Sequence, residues 1–313
     1  MRDYIIKRLA QGVLLVFCVS FLVFSMLYLM PGDPITHMVD PNISKERIEE
    51  IKVRYGLDRP LLEQYASWLK RIVTQRDFGM SYKNKLPVWD LIKVRIPVSL
   101  RLTGTIMFFQ LIIAVPLGLL CAYKKDSLFD RVTVGISLLM TAVPQFWLSV
   151  LLILLFAVRL QWFPLSGADT ARHYVLPVIA GVMSGIASTL RLTKTEALDV
   201  FRERYVLTAY AKGLPKRTVI VRHVLRNALI LIVVIVFMSI PWLISGLVII
   251  ESIFAIPGMG NLLINSIKMQ DFPIVQACML IISTLTVLCN ILSDLIIGML
   301  DPRIRISISG GER

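Results

Sequence analysis

Six times in 313 residues this chain runs apolar for long enough to cross a lipid bilayer, and that recurrence restricts its fold more than any other feature. A helix rising ~1.5 Å per residue needs about 20 apolar residues to traverse a hydrocarbon layer of about 30 Å. The segments are Leu9 to Met30, Leu102 to Tyr123, Val132 to Val158, Tyr174 to Leu190, Ala228 to Ile250 and Phe272 to Ser293. The fourth, at 17 residues, is the shortest, and its end is extended if Arg191 snorkels to the interface. Backbone in hydrocarbon must satisfy its own hydrogen bonds, so spans of this length are helices. With 56% hydrophobic and 18% charged residues, the chain is too apolar for a soluble domain of this size. It reads as an all-α integral membrane protein with six transmembrane helices. The run from Leu9 to Met30 is longer than a signal-peptide core and lacks a small-x-small cleavage site, so it reads as a retained first span.

Charge sets the orientation. Lys and Arg accumulate in short cytoplasmic loops. Residues 1–8, 123–131, 191–226 and 301–313 carry 18 basic residues, against three (Arg159, Arg172 and Lys268) in the short loops on the other side. Both termini are therefore expected in the cytoplasm. The net charge of +13 follows from topology; no nucleic-acid-binding motif accompanies it, and no nucleic-acid partner is expected. Four divisions follow: residues 1–30 as cytoplasmic N-terminus and span one, 31–97 as an extracytoplasmic insertion, 98–305 as a core with spans two to six, and 306–313 as a cytoplasmic tail. In the insertion, Ile48, Ile51 and Tyr55 have helical spacing, and Leu61, Leu62, Tyr65, Trp68, Leu69 and Ile72 form a second stripe. Two amphipathic helices are expected there, either receiving a soluble partner or capping the spans.

Chemistry-bearing residues are few. Arg101, Glu251 and Asp294 are read at span edges, with no carboxylate near the midplane, which disfavours an ion-coupled secondary transporter. No phosphate-binding loop of the form Gly-x-x-x-x-Gly-Lys-Ser/Thr occurs, so the chain is expected to be no enzyme and to bind no ATP itself. His37, His173 and His223 lie in separate loops, and Cys18, Cys121, Cys278 and Cys289 fall in apolar runs without ligand spacing, so neither a metal site nor a disulfide framework is expected. Pro144, Pro177 and Pro241 are each placed within a span, where a missing N–H kinks a helix and could serve as a hinge. Glu251 leads into Phe254-Ala-Ile-Pro257-Gly258-Met-Gly260, an outer turn that is either a gate element or a capped loop.

The densest local signal lies between Arg191 and Arg226, with nine basic residues against three acidic. Leu198, Phe201, Tyr205 and Ala209 recur at helical spacing, Gly213 suits a helix C-cap, and Pro215 cannot continue the same helix. Small residues Ala209, Ala211 and Gly213 would permit close approach to another surface.

These residues, taken in order, resemble the inner-membrane permease subunits of ATP-binding-cassette importers, specifically the first permease of the dipeptide, oligopeptide and nickel group. The resemblance runs from about Arg8 to Arg305. It rests on Pro31-Gly-Asp-Pro34, Tyr55-Gly-Leu-Asp-Arg-Pro60, Gln64-Tyr65 with Trp68-Leu69, Pro144-Gln-Phe-Trp147 and Trp162-Phe-Pro164. Further on come Thr208-Ala-Tyr-Ala-Lys-Gly-Leu214, Arg222-His-Val-Leu-Arg-Asn-Ala-Leu229, Glu251-Ser-Ile-Phe254, Pro257-Gly-Met-Gly260 and Asp301-Pro-Arg303. The resemblance implies that Leu207, Thr208, Ala209, Tyr210, Ala211, Lys212, Gly213 and Leu214 form a cytoplasmic coupling helix that docks on an ATPase. Leu207 stands where the general importer motif has Glu, Tyr210 where the subgroup commonly has Arg, and Leu231 where Pro is common. The implied partners are a second homologous permease, two ATP-binding-cassette ATPases that hold ATP and Mg, an extracytoplasmic solute-binding protein and membrane lipid. The implied location is the cytoplasmic (inner) membrane of a bacterium or archaeon. The implied cargo is a di- or oligopeptide, with nickel or a metal chelate as the alternative.

Overall fold

The computed structural model describes residues 2–30, 50, 52–53, 56, 58–215, 218–220, 225 and 247–300. Their regular elements are α1 (Arg2–Tyr28), α2 (Leu61–Gln75), α3 (Val88–Lys93), α4 (Ile96–Tyr123), α5 (Leu128–Ala142), α6 (Gln145–Leu152), a π-helical segment (Ile153–Arg159), α7 (Ala171–Phe201), α8 (Arg204–Ala211), α9 (Met259–Lys268) and α10 (Phe272–Leu300). Strand-like pairing among the described residues is limited to one bridge between Met80 and Pro87. Four stretches, Ile6–Tyr28, Val88–Tyr123, Ala171–Phe201 and Phe272–Ile296, are long and apolar enough to cross a membrane, and α5 with the helix after it adds a fifth if the bent pair counts as one span.

That bent pair corrects the expected third span. Val132 to Val158 is not one helix: α5 ends at Ala142, Val143 is extended at φ −80°, ψ 123°, and the two halves meet at 96°. Proline drives the residue before it out of the helical region and has no N–H to give the preceding turn. Pro144 therefore caps the start of α6 at a break between two helices rather than lying inside one. Pro177 is buried inside α7, and Pro116 lies inside α4, a position the sequence reading passed over. Pro241 and nearly all of the expected span Ala228 to Ile250 lie outside the described residues, as does most of the expected first helix of the insertion.

The expected fourth span is the middle of a longer helix. α7 runs 31 residues, starting where Thr170 and His173 cap each other: His173 Nδ1 is 3.2 Å from the Thr170 N and 2.9 Å from its Oγ1. His173 belongs to a helix start rather than a loop. The apolar window underestimated the helix because its last turns carry Thr193, Lys194, Glu196 and Asp199.

The chain divides into two units, Met1–Ser99 with Pro257–Leu288, and Leu100–Ile256 with Cys289–Arg313. In the first, Phe17, Phe21 and Phe24 of α1 meet the Tyr65 ring edge-on at 5.6, 5.2 and 5.5 Å, and the Tyr65 hydroxyl bonds with Ser20 Oγ at 2.8 Å. Tyr65 and Trp68 of the expected α2 stripe are buried, whereas Leu62 is exposed. Val88 and Ile92 of α3 form a second core with Leu262 and Leu263 of α9 and with Ile274 and Cys278 of α10. Asp271, just before α10, is buried and accepts from Ser81 Oγ at 2.5 Å and from the N–H groups of Tyr82 and Lys83 at 3.1 and 3.3 Å.

In the second unit, α4 meets α7 through glycines. A Cβ on Gly118 would lie 2.7 Å from Thr193 Cβ and 2.8 Å from the Leu190 carbonyl oxygen. One on Gly181 would lie 2.5 Å from Ile106 Cδ1, and one on Gly185 2.7 Å from Gln110 Oε1. Helices in lipid associate by close packing and interhelical hydrogen bonds, which the Gly181-x-x-x-Gly185 spacing permits. Gln110 Nε2 uses that approach to reach the Gly185 carbonyl at 3.2 Å and Thr189 Oγ1 at 2.7 Å. Of the cysteines, Cys121 and Cys278 are buried, Cys289 is half-buried and Cys18 is exposed.

Candidate functional site

The expected coupling segment forms its own short helix, α8, set off from α7 at Arg202. The Arg202 N–H bonds to the Asp199 carbonyl at 3.1 Å, and the Glu203 carbonyl accepts from Val206 N–H at 3.0 Å, closing one helix and opening the next. Leu198 and Phe201 thus belong to α7 while Tyr205 and Ala209 belong to α8; Leu198 and Phe201 pack on the same core as Ala209, and Tyr205 is the member of the stripe left exposed. The inward residues of α8 are Val206 and Ala209, 0% and 5% exposed. They share a core with Leu119 and Ala122 of α4, Ala197 of α7 and Val219.

The other face points away. Leu207 is 59% exposed, Tyr205 42% and Leu214 37%, and Thr208, Ala211, Lys212 and Gly213 are exposed with them. Thr208 Oγ1 is satisfied within its own helix by the Arg204 carbonyl at 2.9 Å. Partial burial and the nearby Glu203 carboxylate push the Tyr205 phenol above its ordinary value, so it stays a neutral donor. Ala209 is spent on the inner face, leaving Ala211 and Gly213 as the exposed small residues. The Tyr210 side chain lies outside the described residues.

The end of α8 has a specific geometry. Gly213 has φ +76°, and the Leu214 N–H reaches back to the Ala209 carbonyl at 3.3 Å. A six-to-one bond over a left-handed residue is a Schellman stop, in which glycine avoids the clash a Cβ would bring.

Of the outer-turn residues, Glu251 and Phe254 belong to the second unit, and Pro257, Gly258 and Gly260 to the first. Glu251 and Phe254 are 0% and 2% exposed, the Phe254 carbonyl accepts from Gly167 N–H at 3.1 Å, and the Ile256 N–H bonds to the Glu251 carbonyl at 2.9 Å. Glu251 is thus fully buried within the protein. Pro257 precedes Gly258, which caps α9, and Gly260 is buried in its first turn, where the Met259 N–H bonds to Ser99 Oγ at 2.8 Å.

Two buried carboxylates escaped the sequence reading. Besides Asp271, Asp130 in the first turn of α5 is 3% exposed, with its Oδ1 2.6 Å from Lys194 Nζ on α7. Both look like loop residues in sequence, one among Lys124, Lys125 and Asp126, the other after Gln270. The available signal was a charge at the boundary of a span, which carries no information about its partner 64 positions away. Among the described residues no group of three or more His, Cys, Asp or Glu side chains is placed to hold a metal ion.

Comparison with known proteins bears on the whole chain. Residues 114–306 match the family model of the binding-protein-dependent transport system inner membrane component, and residues 1–103 match the model of the N-terminal part of such membrane components. The oligopeptide transport system permease protein AppB of Bacillus subtilis is 35% identical over 315 residues, covering 97% of this chain and 99% of that protein. The glutathione transport system permease protein GsiC of Escherichia coli is 35% identical over 305 residues, with the same coverage. With both stretches matched and relatives aligned almost end to end, the chain belongs to the family of binding-protein-dependent transport system inner membrane components, the permease subunits of ATP-binding-cassette importers of the peptide and nickel group.

Proposed function

We propose that this chain is one of two permeases in an ATP-driven importer of di- or oligopeptides, and that α8 is where the ATPase engages it. The observation that carries the reading is the two-sidedness of α8: Val206 and Ala209 are locked into the spans while Leu207, Tyr205 and Leu214 stand exposed at its edge. Apolar side chains held outward on a short, firmly anchored helix fit a partner's cleft. In this reading the chain itself has six spans with both termini in the cytoplasm, and the full assembly adds a second permease, two ATPases that carry ATP and Mg, and an extracytoplasmic binding protein. ATP favours the closed ATPase pair, and differential affinity for that state, passed through α8, shifts the spans between inward-facing and outward-facing arrangements. Peptide cargo is supported by relatives named for oligopeptide and glutathione transport. The test is ATP hydrolysis by the purified complex in liposomes: vanadate-sensitive turnover stimulated by peptide-loaded binding protein is expected. Uptake that persists without the ATPases and follows a proton gradient would overturn the assignment.

A further inference from the structure

The first turn of α5 is tied to α7 by the Asp130–Lys194 pair. Asp130 Oδ1 accepts from Lys194 Nζ at 2.6 Å, Oδ2 accepts from the Asp126 N–H at 3.0 Å, and Ser127 Oγ takes the Asp130 N–H at 3.3 Å. The carboxylate side chain is 4% exposed and the lysine 22%. By contrast, both members of the Lys93–Asp90 and Lys125–Asp126 pairs are exposed.

Burying such a pair is weak evidence for stability, because desolvation cancels much of the attraction; its best-attested use is to fix one register among several. α5 needs that. Asp130 and Ser137 are its buried residues, and Ser137 Oγ bonds back to its own helix at the Val134 carbonyl. Among the described residues no other hydrogen bond or ion pair joins α5 to α7, and packing without such bonds discriminates weakly against a slip of one turn, about 5.4 Å. The ion pair loses all of its contact in that slip.

Its place on α7 gives the register a use. Ala197, one turn beyond Lys194, is fully buried in the cluster that receives Val206 and Ala209 of α8. No α5 residue belongs to that cluster. We infer that Asp130 and Lys194 are positioning residues that make α5, and the bent segment after it, follow α7 when α8 is displaced. The inference rests on the reading of α8 as the docking helix.

The experiment uses the complete importer, with its ATPases, second permease and binding protein, in proteoliposomes. The variants are Asp130→Asn, Asp130→Lys, Lys194→Met and the exchange Asp130→Lys with Lys194→Asp, and the readout is peptide imported per ATP hydrolysed. Each single variant is expected to retain the ATPases and their hydrolysis while the ratio falls at least about fivefold, the low end of ordinary coupling. The exchange is expected to recover most of the ratio relative to Asp130→Lys alone. A wild-type ratio in the single variants would overturn the inference, and so would an exchange as poor as Asp130→Lys. Leu207→Asp separates this from the underlying reading. If Leu207→Asp keeps its ATPases and transports normally, the docking helix itself is wrong. If Leu207→Asp loses the ATPases while Asp130→Asn is unimpaired, only the positioning role fails.

Discussion

Gly213 offers the sharpest test of α8, because the structure separates two reasons why a glycine could be required there. A Cβ added at Gly213 meets nothing within 4 Å, so the isolated subunit has room for a side chain. What it lacks is an inexpensive conformation: φ is +76°, and a left-handed L-residue costs about 1–2 kcal/mol. Asn tolerates that region best, Ala sits in the middle, and a β-branched residue at such φ is a true outlier, at about 2–3 kcal/mol. At ~1.36 kcal/mol per factor of ten, Gly213→Ala lowers the intact-stop population about 5- to 30-fold and Gly213→Val about 30- to 160-fold. Val206 and Ala209 remain packed, so the subunit still inserts and assembles. The assay is peptide uptake per ATP hydrolysed in proteoliposomes across the series Gly, Asn, Ala, Val, and the expected order is that order. Equal transport by Gly213→Val and the wild type would refute the conformational argument. Equal failure of Asn, Ala and Val would refute it in another way, by placing a partner surface against the Cα.

Three further outcomes follow from named contacts. Leu207→Asp places a charge on the outward face of α8, and co-purification of the ATPase is expected to fall about tenfold or more, as for a central apolar interface residue. Gly118→Ala must displace both Thr193 and the Leu190 carbonyl, an overpacking cost of about 1–3 kcal/mol, whereas Gly104→Ala meets nothing; in detergent the thermal midpoint should drop for the first and hold for the second. Asp271→Asn replaces an acceptor oxygen facing Ser81, Tyr82 and Lys83, a loss of about 1–3 kcal/mol, and trypsin should then cut the exposed Lys83 and Lys85 sooner than in the wild type.

Reading the sequence located spans where apolarity was continuous and stumbled where geometry intervened. Leu9 to Met30 and Phe272 to Ser293 became helices because nothing in them opposes 3.6-residue periodicity. Val132 to Val158 is as apolar, yet Val143-Pro144 turns it through 96°, since hydropathy does not register a missing N–H. In the coupling segment the glycine stop was legible, being a local backbone requirement, but the inward face was not. Spacing alone groups Tyr205 with Leu198, Phe201 and Ala209, whereas the Arg202 joint resets the helical phase, leaves Tyr205 exposed and puts Val206 in the core. Asp130 and Lys194 could not be paired from spacing at all, because their contact is made by the α5–α7 crossing and not by either helix.

Glycine at the α4–α7 seam also shapes how this protein can change over generations. At most core positions a sequence can drift by one methylene at a time, each step small enough for neighbours to absorb. At Gly118 the smallest possible step is already a Cβ 2.7 Å from that of Thr193, inside a distance that real atoms essentially never show. Drift there has to be concerted: the Leu190 carbonyl stands 2.8 Å away as well, so the helices must part as Gly118 grows, which asks for compensating changes elsewhere along the seam. The seam is thus a place of low mutational connectivity, where variants that keep the fold are separated by double changes rather than single ones.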